Sequence, residues 1–294
     1  MSFHDDTDNV HPSVNDLYLD QPCTKKELYG NESFGFGSMQ GWRRSQEDSA
    51  KHLIPFDNHL WKNWSYYAIF DGHNGVQTAK NAADLLDNYL IQMFKRTETK
   101  MNDDQFDEII KKTFIQLDKH LSHLVRDHSG SVCIASLIGP KNIFLINVGD
   151  SRAIIISKDG QVLASTKDHK PTVKKEQERI RKAGGHLTQS PGDVLRVENQ
   201  LAMTRVLGDY SLDKNIIPAV PDIIQYVRDS SAAYLILACD GIWDVMDNEQ
   251  VAKFVSERIP NTALDNIISQ LFDQCLQKES SDNMTAYIVQ LDRN

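Results

Sequence analysis

Four apolar runs of this sequence each carry an aspartate at one end. Short runs rich in aromatic and β-branched residues are typical of buried strands. The runs and their aspartates are 66–70 with Asp71, 142–149 with Asp150, 234–239 with Asp240, and 284–291 with Asp282. No lysine or arginine is adjacent to these aspartates. Like charges gathered closely cannot all stay ionised unless a cation lies among them, so the pattern indicates a cation site.

Three of these aspartates, Asp71, Asp240 and Asp282, would meet if their strand ends converge. Together with the carbonyl of Gly72 they offer only hard oxygen ligands, which favours Mg²⁺ or Mn²⁺ over zinc. A carboxylate placed between two ions about 3.5–4 Å apart would make a two-metal site. A water shared by such ions is acidified and is a good in-line nucleophile toward phosphorus.

Two further side chains suit phosphoryl chemistry. Arg43, near the acidic pair Glu47 and Asp48, could hold phosphate oxygens in a bidentate clamp, and His73 could protonate a leaving alkoxide. Each also has a plainer interpretation. A lone arginine in a charged loop is usually solvated, a lone histidine at a strand end is more often structural, and Asp-Gly is commonly only a turn.

Helical and extended patterns occur in clusters along the chain. Helical spacing of apolar residues predicts helices within 76–94 and 106–124, a short charged helix at 174–183, and two more near 249–258 and 263–277. Extended patterns predict strands at 34–39, 131–138, 143–148 and 153–157, with a hairpin turn at 158–160. A doubly wound parallel sheet requires strict βαβ alternation, which is not present. Clustered strands between helix pairs predict a layered α+β domain without an internal boundary.

Composition limits the remaining possibilities. The 294 residues are 40% hydrophobic, enough for a large core, and the net charge of −9 argues against general affinity for nucleic acid. No apolar run approaches the ~20 residues of a membrane span, and no signal peptide is visible within 1–21. The cysteines lie far apart without metal-ligand spacing, which favours reduced thiols in an intracellular protein; they are Cys23, Cys133, Cys239 and Cys275. Residues 1–32 are polar and aperiodic, so we expect a flexible extension there and one folded domain over 33–294.

Seven separated motifs together resemble the metal-dependent serine/threonine protein phosphatases of type 2C (the PPM family). The motifs are Met39–Arg43 with Glu47 and Asp48, Phe70–Gly75, Val148–Arg152, Ala183–Gly185, Leu207–Asp209, Cys239–Asp244 and Ser281–Thr285. The resemblance extends roughly from Phe34 to Leu291. It implies an α-β-β-α sandwich, two stacked antiparallel sheets between helix pairs, with the metals at one end.

The resemblance also implies a role for each site residue. Asp71 would bridge two Mn²⁺ or Mg²⁺ ions, the Gly72 carbonyl would bind one, and Asp240 and Asp282 would complete the set. The remaining roles are Glu47 and Asp48 for metal-bound waters, Arg43 for the substrate phosphate, His73 as general acid, and Asp150 with Asp244 and Asp240 for a weaker third metal. Residues from about Lys170 to Leu195 would form a flap beside the cleft.

The implied activity is hydrolysis of phosphoserine and phosphothreonine in phosphoproteins, by direct attack of a metal-bridging hydroxide without a phosphoenzyme. A monomeric signalling protein of the cytoplasm or nucleus, binding neither nucleic acid nor membrane, fits this interpretation. One alternative is a catalytically inactive family member acting as a binding scaffold, although all the metal carboxylates are present. Another is a phosphatase in which Asp71 itself attacks phosphorus and forms an aspartyl phosphate. Such enzymes usually have a second acidic residue two positions later, where this chain has His73. A two-metal nuclease is disfavoured by the acidity of the chain.

A few positions depart from the family pattern. Val132 stands where the family often has a hydroxyl-bearing threonine, Val206 replaces an alanine, and the segment 219–222 lacks the usual acidic residue before its proline. None of these changes removes a proposed metal ligand.

Overall fold

The computed structural model of the chain describes residues 17–96 and 103–291. Its strands are β1 (Tyr18–Gly30), β2 (Phe34–Arg43), β3 (Ser49–Leu53), β4 (Ser65–His73), β5 (Gly130–Ile138), β6 (Asn142–Val148), β7 (Arg152–Ile156), β8 (Val162–Ser165), β9 (Leu187–Thr188), β10 (Arg196–Val197), β11 (Leu207–Gly208), β12 (Asp222–Val227), β13 (Tyr234–Ala238) and β14 (Met284–Gln290). Its helices are α1 (Gln77–Lys95), α2 (Asp103–Leu121), α3 (Lys174–Lys182), α4 (Asp240–Trp243), α5 (Asn248–Ser256) and α6 (Leu264–Gln277).

The strands form two antiparallel sheets. The first has the order β1-β2-β14-β13-β7-β8, and the second has the order β12-β6-β5-β4-β3 with β11 paired to β5. Strands β9 and β10 form a separate hairpin. The turn predicted at 158–160 joins β7 to β8, where Ile156 pairs with Val162.

Strand β4 shows why the layers stack as they do. Its odd-numbered residues Tyr67 and Ile69 pack between the two sheets, whereas Tyr66, Ala68 and Phe70 face the cluster that contains α1 and α2. Because side chains alternate across a strand, a run that is apolar at every position must be covered on both faces. Burial of β4 on both faces therefore places one sheet on one side and helices on the other.

The opposite outer layer consists of α5 and α6 against the first sheet. Val251 of α5 and Ile267 and Leu271 of α6 are fully buried in the same core cluster as Ile236 of β13. The predicted α+β sandwich with α-β-β-α layers is therefore confirmed. No helix within the described ranges is both long enough and apolar enough to cross a bilayer.

Part of the polar extension expected over residues 1–32 is a strand of the first sheet, β1. Strand β1 pairs with β2 along most of its length, and Lys26 bonds Asp273 of α6 at 2.6 Å. The polar composition of β1 gave no strand pattern, because an edge strand is held by backbone hydrogen bonds and needs few apolar side chains. Residues 1–16 lie outside the described part of the chain.

Helix α3 is fixed to the second sheet by a buried ion cluster. The Glu176 carboxylate, 1% exposed, accepts hydrogen bonds from Arg179, Arg205 and the Thr204 hydroxyl. Burial alone would raise the pKa of Glu176, but the two arginines outweigh it and lower that pKa to about 2. Ile180 adds an apolar contact and is fully buried.

Replacement of Glu176 by Gln tests this cluster. We expect Glu176→Gln to lower the free energy of unfolding by about 3 kcal/mol or more, because it removes the nearer of the two carboxylates that pair with the buried Arg205. A carboxyl group whose pKa is lower in the folded protein stabilises the fold fully above its ordinary pKa, about 4.3 for glutamate. This stabilisation is lost as the pH falls through the pKa of the folded state. The difference from wild type should therefore shrink between about pH 4.3 and pH 2, as measured by urea unfolding. The exposed Glu178→Gln variant is the matched control, with a change within about 0.5 kcal/mol; an equal loss in both variants would contradict the prediction.

Candidate metal centre

The ends of several strands meet at one end of the sandwich. Asp71 lies near the end of β4, Asp240 comes two residues after β13, and Asp282 comes two residues before β14. Asp48 directly precedes β3 and Asp150 follows β6. Antiparallel pairing brings these ends together, since β14 pairs with both β13 and β2, and β5 pairs with both β4 and β6. The predicted convergence of the aspartates is what the structure shows.

The closest group consists of Asp48, Asp71 and Cys239. One carboxylate oxygen from each aspartate and the sulfur of Cys239 all lie within 4.8 Å of one another. The Cys239 sulfur accepts a hydrogen bond from the Thr285 N–H at 3.1 Å and faces the Asn283 carbonyl at 3.4 Å. Burial and the neighbouring carboxylates raise the thiol pKa well above its usual value. These surroundings favour the protonated thiol, which lies beside the carboxylate oxygens of Asp48 and Asp71.

The carboxylates in this site oppose one another's ionisation. Burial, followed by the charges of Asp48 and Asp282, raises the pKa of Asp71 well above its usual range. Burial and the charges of Asp71 and Asp282 do the same to the pKa of Asp240. Burial likewise raises the pKa of Asp48 to about 7 and that of Asp150 to about 6. One oxygen of Asp150 is buried and has no hydrogen-bond partner within the described residues. A hard divalent cation fits this donor set, because it would neutralise the repulsion and use the free oxygen.

The backbone approaches closely at Gly72. A Cβ atom at this position would lie 2.4 Å from the carbonyl oxygen of Glu47, so any side chain would push the two segments apart. The loop that carries Glu47 is held by Asn283, whose side-chain oxygen accepts the Glu47 N–H and whose amide donates to the carbonyls of Gln40 and Ser45. These hydrogen bonds hold the backbone of Gly72 close to the loop that carries Glu47 and Asp48, called here the acidic loop.

Asp48 is oriented separately by the terminal strand. Its carboxylate accepts a hydrogen bond from the Thr285 hydroxyl at 2.7 Å. Thr285 belongs to β14, so the position of Asp48 depends on the same strand that follows Asp282.

Arg43 contacts the edge of the acidic centre. Its Nη2 lies 2.5 Å from an oxygen of Asp282, and its guanidinium lies 5.7 Å from the ring centroid of Tyr18. Burial lowers the pKa of Arg43, but Asp282 and the other carboxylates outweigh this and leave it raised. The sequence has no lysine or arginine adjacent to the four strand-end aspartates, whereas folding places one beside Asp282.

A second cation lies at the rim. Lys170 places its ammonium 3.0 Å from an Asp244 oxygen and 3.9 Å from an Asp150 oxygen. Asp150 is 3% exposed, whereas the Asp244 side chain is 56% exposed. Both predicted third-site residues are therefore near each other, with a lysine between them that sequence reasoning did not place there.

His73 has a partner that sequence reasoning missed. Its Nε2 lies 2.7 Å from an oxygen of Asp209, a buried residue 136 positions later. Asp209 has a φ of +50°, which is uncommon for residues other than glycine. A Cβ at Gly130 would lie 2.1 Å from the Asp209 carboxylate and 2.3 Å from His73, so only glycine fits between the strands there.

The backbone around Asp209 is fixed from α2. The Asp118 carboxylate accepts the Gly208 N–H at 2.9 Å, and the Lys214 ammonium donates to the Gly208 carbonyl at 2.9 Å. Burial raises the pKa of Tyr210, whose hydroxyl also bonds Asp118. The motif Leu207–Asp209 was visible in the sequence, and a search for a carboxylate partner of His73 could have selected its aspartate.

All the predicted site residues thus lie at one end of the sandwich. Arg43, Glu47, Asp48, Asp71, Gly72, His73, Asp150, Asp240, Asp244 and Asp282 belong to this group. Val132 pairs directly with Asp71 across β4 and β5, so the hydroxyl missing there would have stood beside the central carboxylate.

Comparisons with known proteins agree with this geometry. The family model described as protein phosphatase 2C matches residues 32–284. Human protein phosphatase 1B is 33% identical over 92% of this chain, which spans 60% of that protein. Human protein phosphatase 1A is 32% identical over 92% of this chain and is covered over 75% of its length.

Solved structures show the same fold. A C. elegans sex-determining protein superposes with a TM-score of 0.77 at 25% identity, covering 90% of this chain and 66% of that one. A phosphatase from Toxoplasma gondii gives a TM-score of 0.74 at 24% identity, covering 92% of this chain and 98% of that one. The family model matches most of the sequence, and the aspartates of this chain converge as described. The chain therefore belongs to the protein phosphatase 2C family.

Proposed function

We propose that this chain removes phosphate from phosphoserine and phosphothreonine in proteins, using divalent cations and direct attack of water on phosphorus without a phosphoenzyme. The observation that carries the proposal is the group of mutually repelling carboxylates flanked by Arg43 and by the His73–Asp209 pair. Membership of the phosphatase family supports it. The folded unit we propose as catalytic includes β1 and therefore begins before residue 33.

The proposed ions are Mg²⁺ or Mn²⁺, two in the centre and a weaker third. Asp71 would lie between the central pair, with the Gly72 carbonyl, Asp240 and Asp282 as further ligands and with Glu47 and Asp48 holding coordinated water. Asp150 and Asp244, with Asp240, would hold the third. When bound, such ions lower the pKa of water in the cleft and offset phosphate charge.

Arg43 would bind and orient the phosphate. Asp282 and the Tyr18 ring hold the guanidinium in one place, and the planar guanidinium has N–H groups beyond the one used by Asp282. A planar donor fork matches two phosphate oxygens and fixes the direction of the bond to be broken. Arg43 thereby aligns phosphorus for attack from the acidic centre.

His73 would supply the proton that the leaving oxygen needs. Burial lowers the pKa of His73, but the hydrogen bond and charge of Asp209 outweigh burial and leave that pKa raised, which favours the imidazolium. Because Nε2 is committed to Asp209, the proton available for the seryl or threonyl oxygen is the one on Nδ1. Asp209 therefore acts as a positioning residue that fixes the ring.

The proposal is tested by hydrolysis assays of p-nitrophenyl phosphate and a phosphothreonine peptide. We expect turnover with Mn²⁺ or Mg²⁺ and its loss with a chelator, because the carboxylates cannot otherwise ionise together. In ¹⁸O-labelled water under single-turnover conditions, the label should enter the released phosphate, and acid quenching should trap no phosphoprotein. Absence of metal-dependent turnover would instead favour a binding scaffold, and a trapped phosphoaspartate would favour attack by Asp71.

Replacement of the central carboxylate separates catalysis from folding. We expect Asp71→Asn to lower Mn²⁺-dependent turnover by about 100-fold or more, because it removes the ligand proposed to serve both ions. Without metal, its unfolding temperature should not fall, because the substitution relieves repulsion from Asp48 and Asp282. The exposed Asp20→Asn variant is the control, and full activity in Asp71→Asn would refute the assignment.

Comparison of substrates with poor and good leaving groups tests whether His73 donates the proton. We expect His73→Ala and Asp209→Asn each to slow hydrolysis of an alkyl phosphate by about 10²-fold or more, since an alkoxide needs a proton, and to affect p-nitrophenyl phosphate far less. The double variant should lose little more than His73→Ala alone if Asp209 acts through the ring. Equal losses on both substrates would argue against the proton-donor role, and circular dichroism would show whether Asp209→Asn remains folded.

A further inference from the structure

One face of α3 carries an uncompensated positive charge. The face, called here the basic face, consists of Lys174, Lys175, Glu178, Arg181 and Lys182, all exposed. At about 100° per residue these five positions cover roughly one third of the helix circumference. The basic face therefore carries four cations and one anion, whereas the whole chain has a net charge of −9.

The charge is uncompensated because the helix turns its other acid inward. Glu176 is buried and its carboxylate is used by Arg179 and Arg205. Within residues 17–96 and 103–291, Lys174, Arg181 and Lys182 form no ion pair. Lys175 reaches Asp222 only at 3.9 Å, and Arg205 already bonds that aspartate at 2.8 Å.

The segment that leads into α3 contacts the rim of the metal centre. The turn before α3 is closed by the Val173 N–H, which donates to the Lys170 carbonyl at 3.0 Å. The Lys170 ammonium is the group that contacts Asp244 at the rim of the centre. From this point the helix extends for about 13 Å, which corresponds to about four residues of an extended peptide.

The helix that carries the basic face is held firmly against the protein. Ile180 is fully buried against the apolar cluster that contains Val132 and Ile216, and the Gln177 side chain donates to the Pro171 carbonyl at 2.8 Å. A backbone that is already fixed loses little conformational entropy when a partner binds. The positions of the charged residues along the helix are therefore set before a partner arrives.

We propose that the basic face binds an acidic segment of the phosphoprotein substrate, a few residues from the phosphorylated side chain. This inference rests on the proposed function and adds to it a substrate class: phosphoserine or phosphothreonine followed or preceded by a run of about four acidic residues. Charge complementarity supports the choice of partner. Nucleic acid is a weaker candidate, since the basic face has no aromatic side chain on which a base could stack.

The test compares phosphothreonine peptides that differ only in flanking charge. One peptide carries about four Asp or Glu residues on one side of the phosphothreonine, a second carries them on the other side, and a third carries Asn and Gln instead. The enzyme variants are Lys174→Gln/Arg181→Gln/Lys182→Gln and a control, Lys119→Gln/Lys253→Gln/Lys278→Gln, which removes the same charge from exposed positions on α2 and at α5 and α6.

We expect the wild type to prefer one acidic peptide over the neutral one by about 3- to 30-fold in kcat/KM, expressed mainly in KM, since surface ion pairs contribute modestly and add up. The preference should fall toward unity in the α3 variant, persist in the control, and weaken between about 0.05 and 0.5 M salt. Turnover of p-nitrophenyl phosphate should be unchanged in both variants.

The outcomes separate the two proposals. If p-nitrophenyl phosphate is hydrolysed but neither acidic peptide is preferred, or if the α3 variant keeps the preference, the basic face has a different role and the catalytic proposal stands. If the wild type hydrolyses nothing with metal present, the proposed function itself fails. Single-stranded RNA that binds the wild type tightly and the α3 variant weakly, in a fluorescence anisotropy titration, would assign the basic face to nucleic acid and overturn the inference.

Discussion

The repulsion among the carboxylates at one end of the sandwich is the constraint on which the site depends. Asp71, Asp240 and Asp282 would separate if their backbones could move, because each raises the cost of ionising another. They stay together because they follow or precede strands covered on both faces, and such strands cannot shift without opening the core. Asn283 ties the acidic loop to the end of β2, which limits the remaining freedom.

The same constraint explains where the cations lie. Arg43 and Lys170 come from different parts of the chain, one from β2 and one from the segment before α3, and each contacts an acid at the edge of the centre. Neither contacts Asp71 within salt-bridge distance. The peripheral carboxylates Asp282 and Asp244 are thus partly neutralised by the protein, whereas Asp71 forms no salt bridge within residues 17–96 and 103–291. This division of charge is what a bound divalent cation requires.

Local patterns predicted a layered α+β fold and the strand-end aspartates, whereas the order of the layers and the remaining site residues came from the resemblance to the family. The continuous apolar run of β4 indicated burial on both faces, and the helical spacing of Leu86 and Leu90 indicated α1. Contacts between distant segments left no such pattern. Asp209 reaches His73 across 136 positions through a backbone turn with positive φ, and β1 is polar because β2 supplies backbone partners. Periodicity reports which face is apolar and carries no information about which polar side chains will meet.

Glu176 connects the internal architecture to the outer surface. Its sequence neighbours Lys174, Lys175 and Glu178 make the helix look like a mixed-charge, solvated segment. Folding removes Glu176 from that surface, because Arg205 and Arg179 require a buried partner, and the outward face is left basic. The positive charge on the outer face of α3 therefore follows from the pairing of Glu176 with two arginines inside the protein. When a helix buries one of its acidic residues as a counter-charge, the basic residues on its exposed side are left in excess.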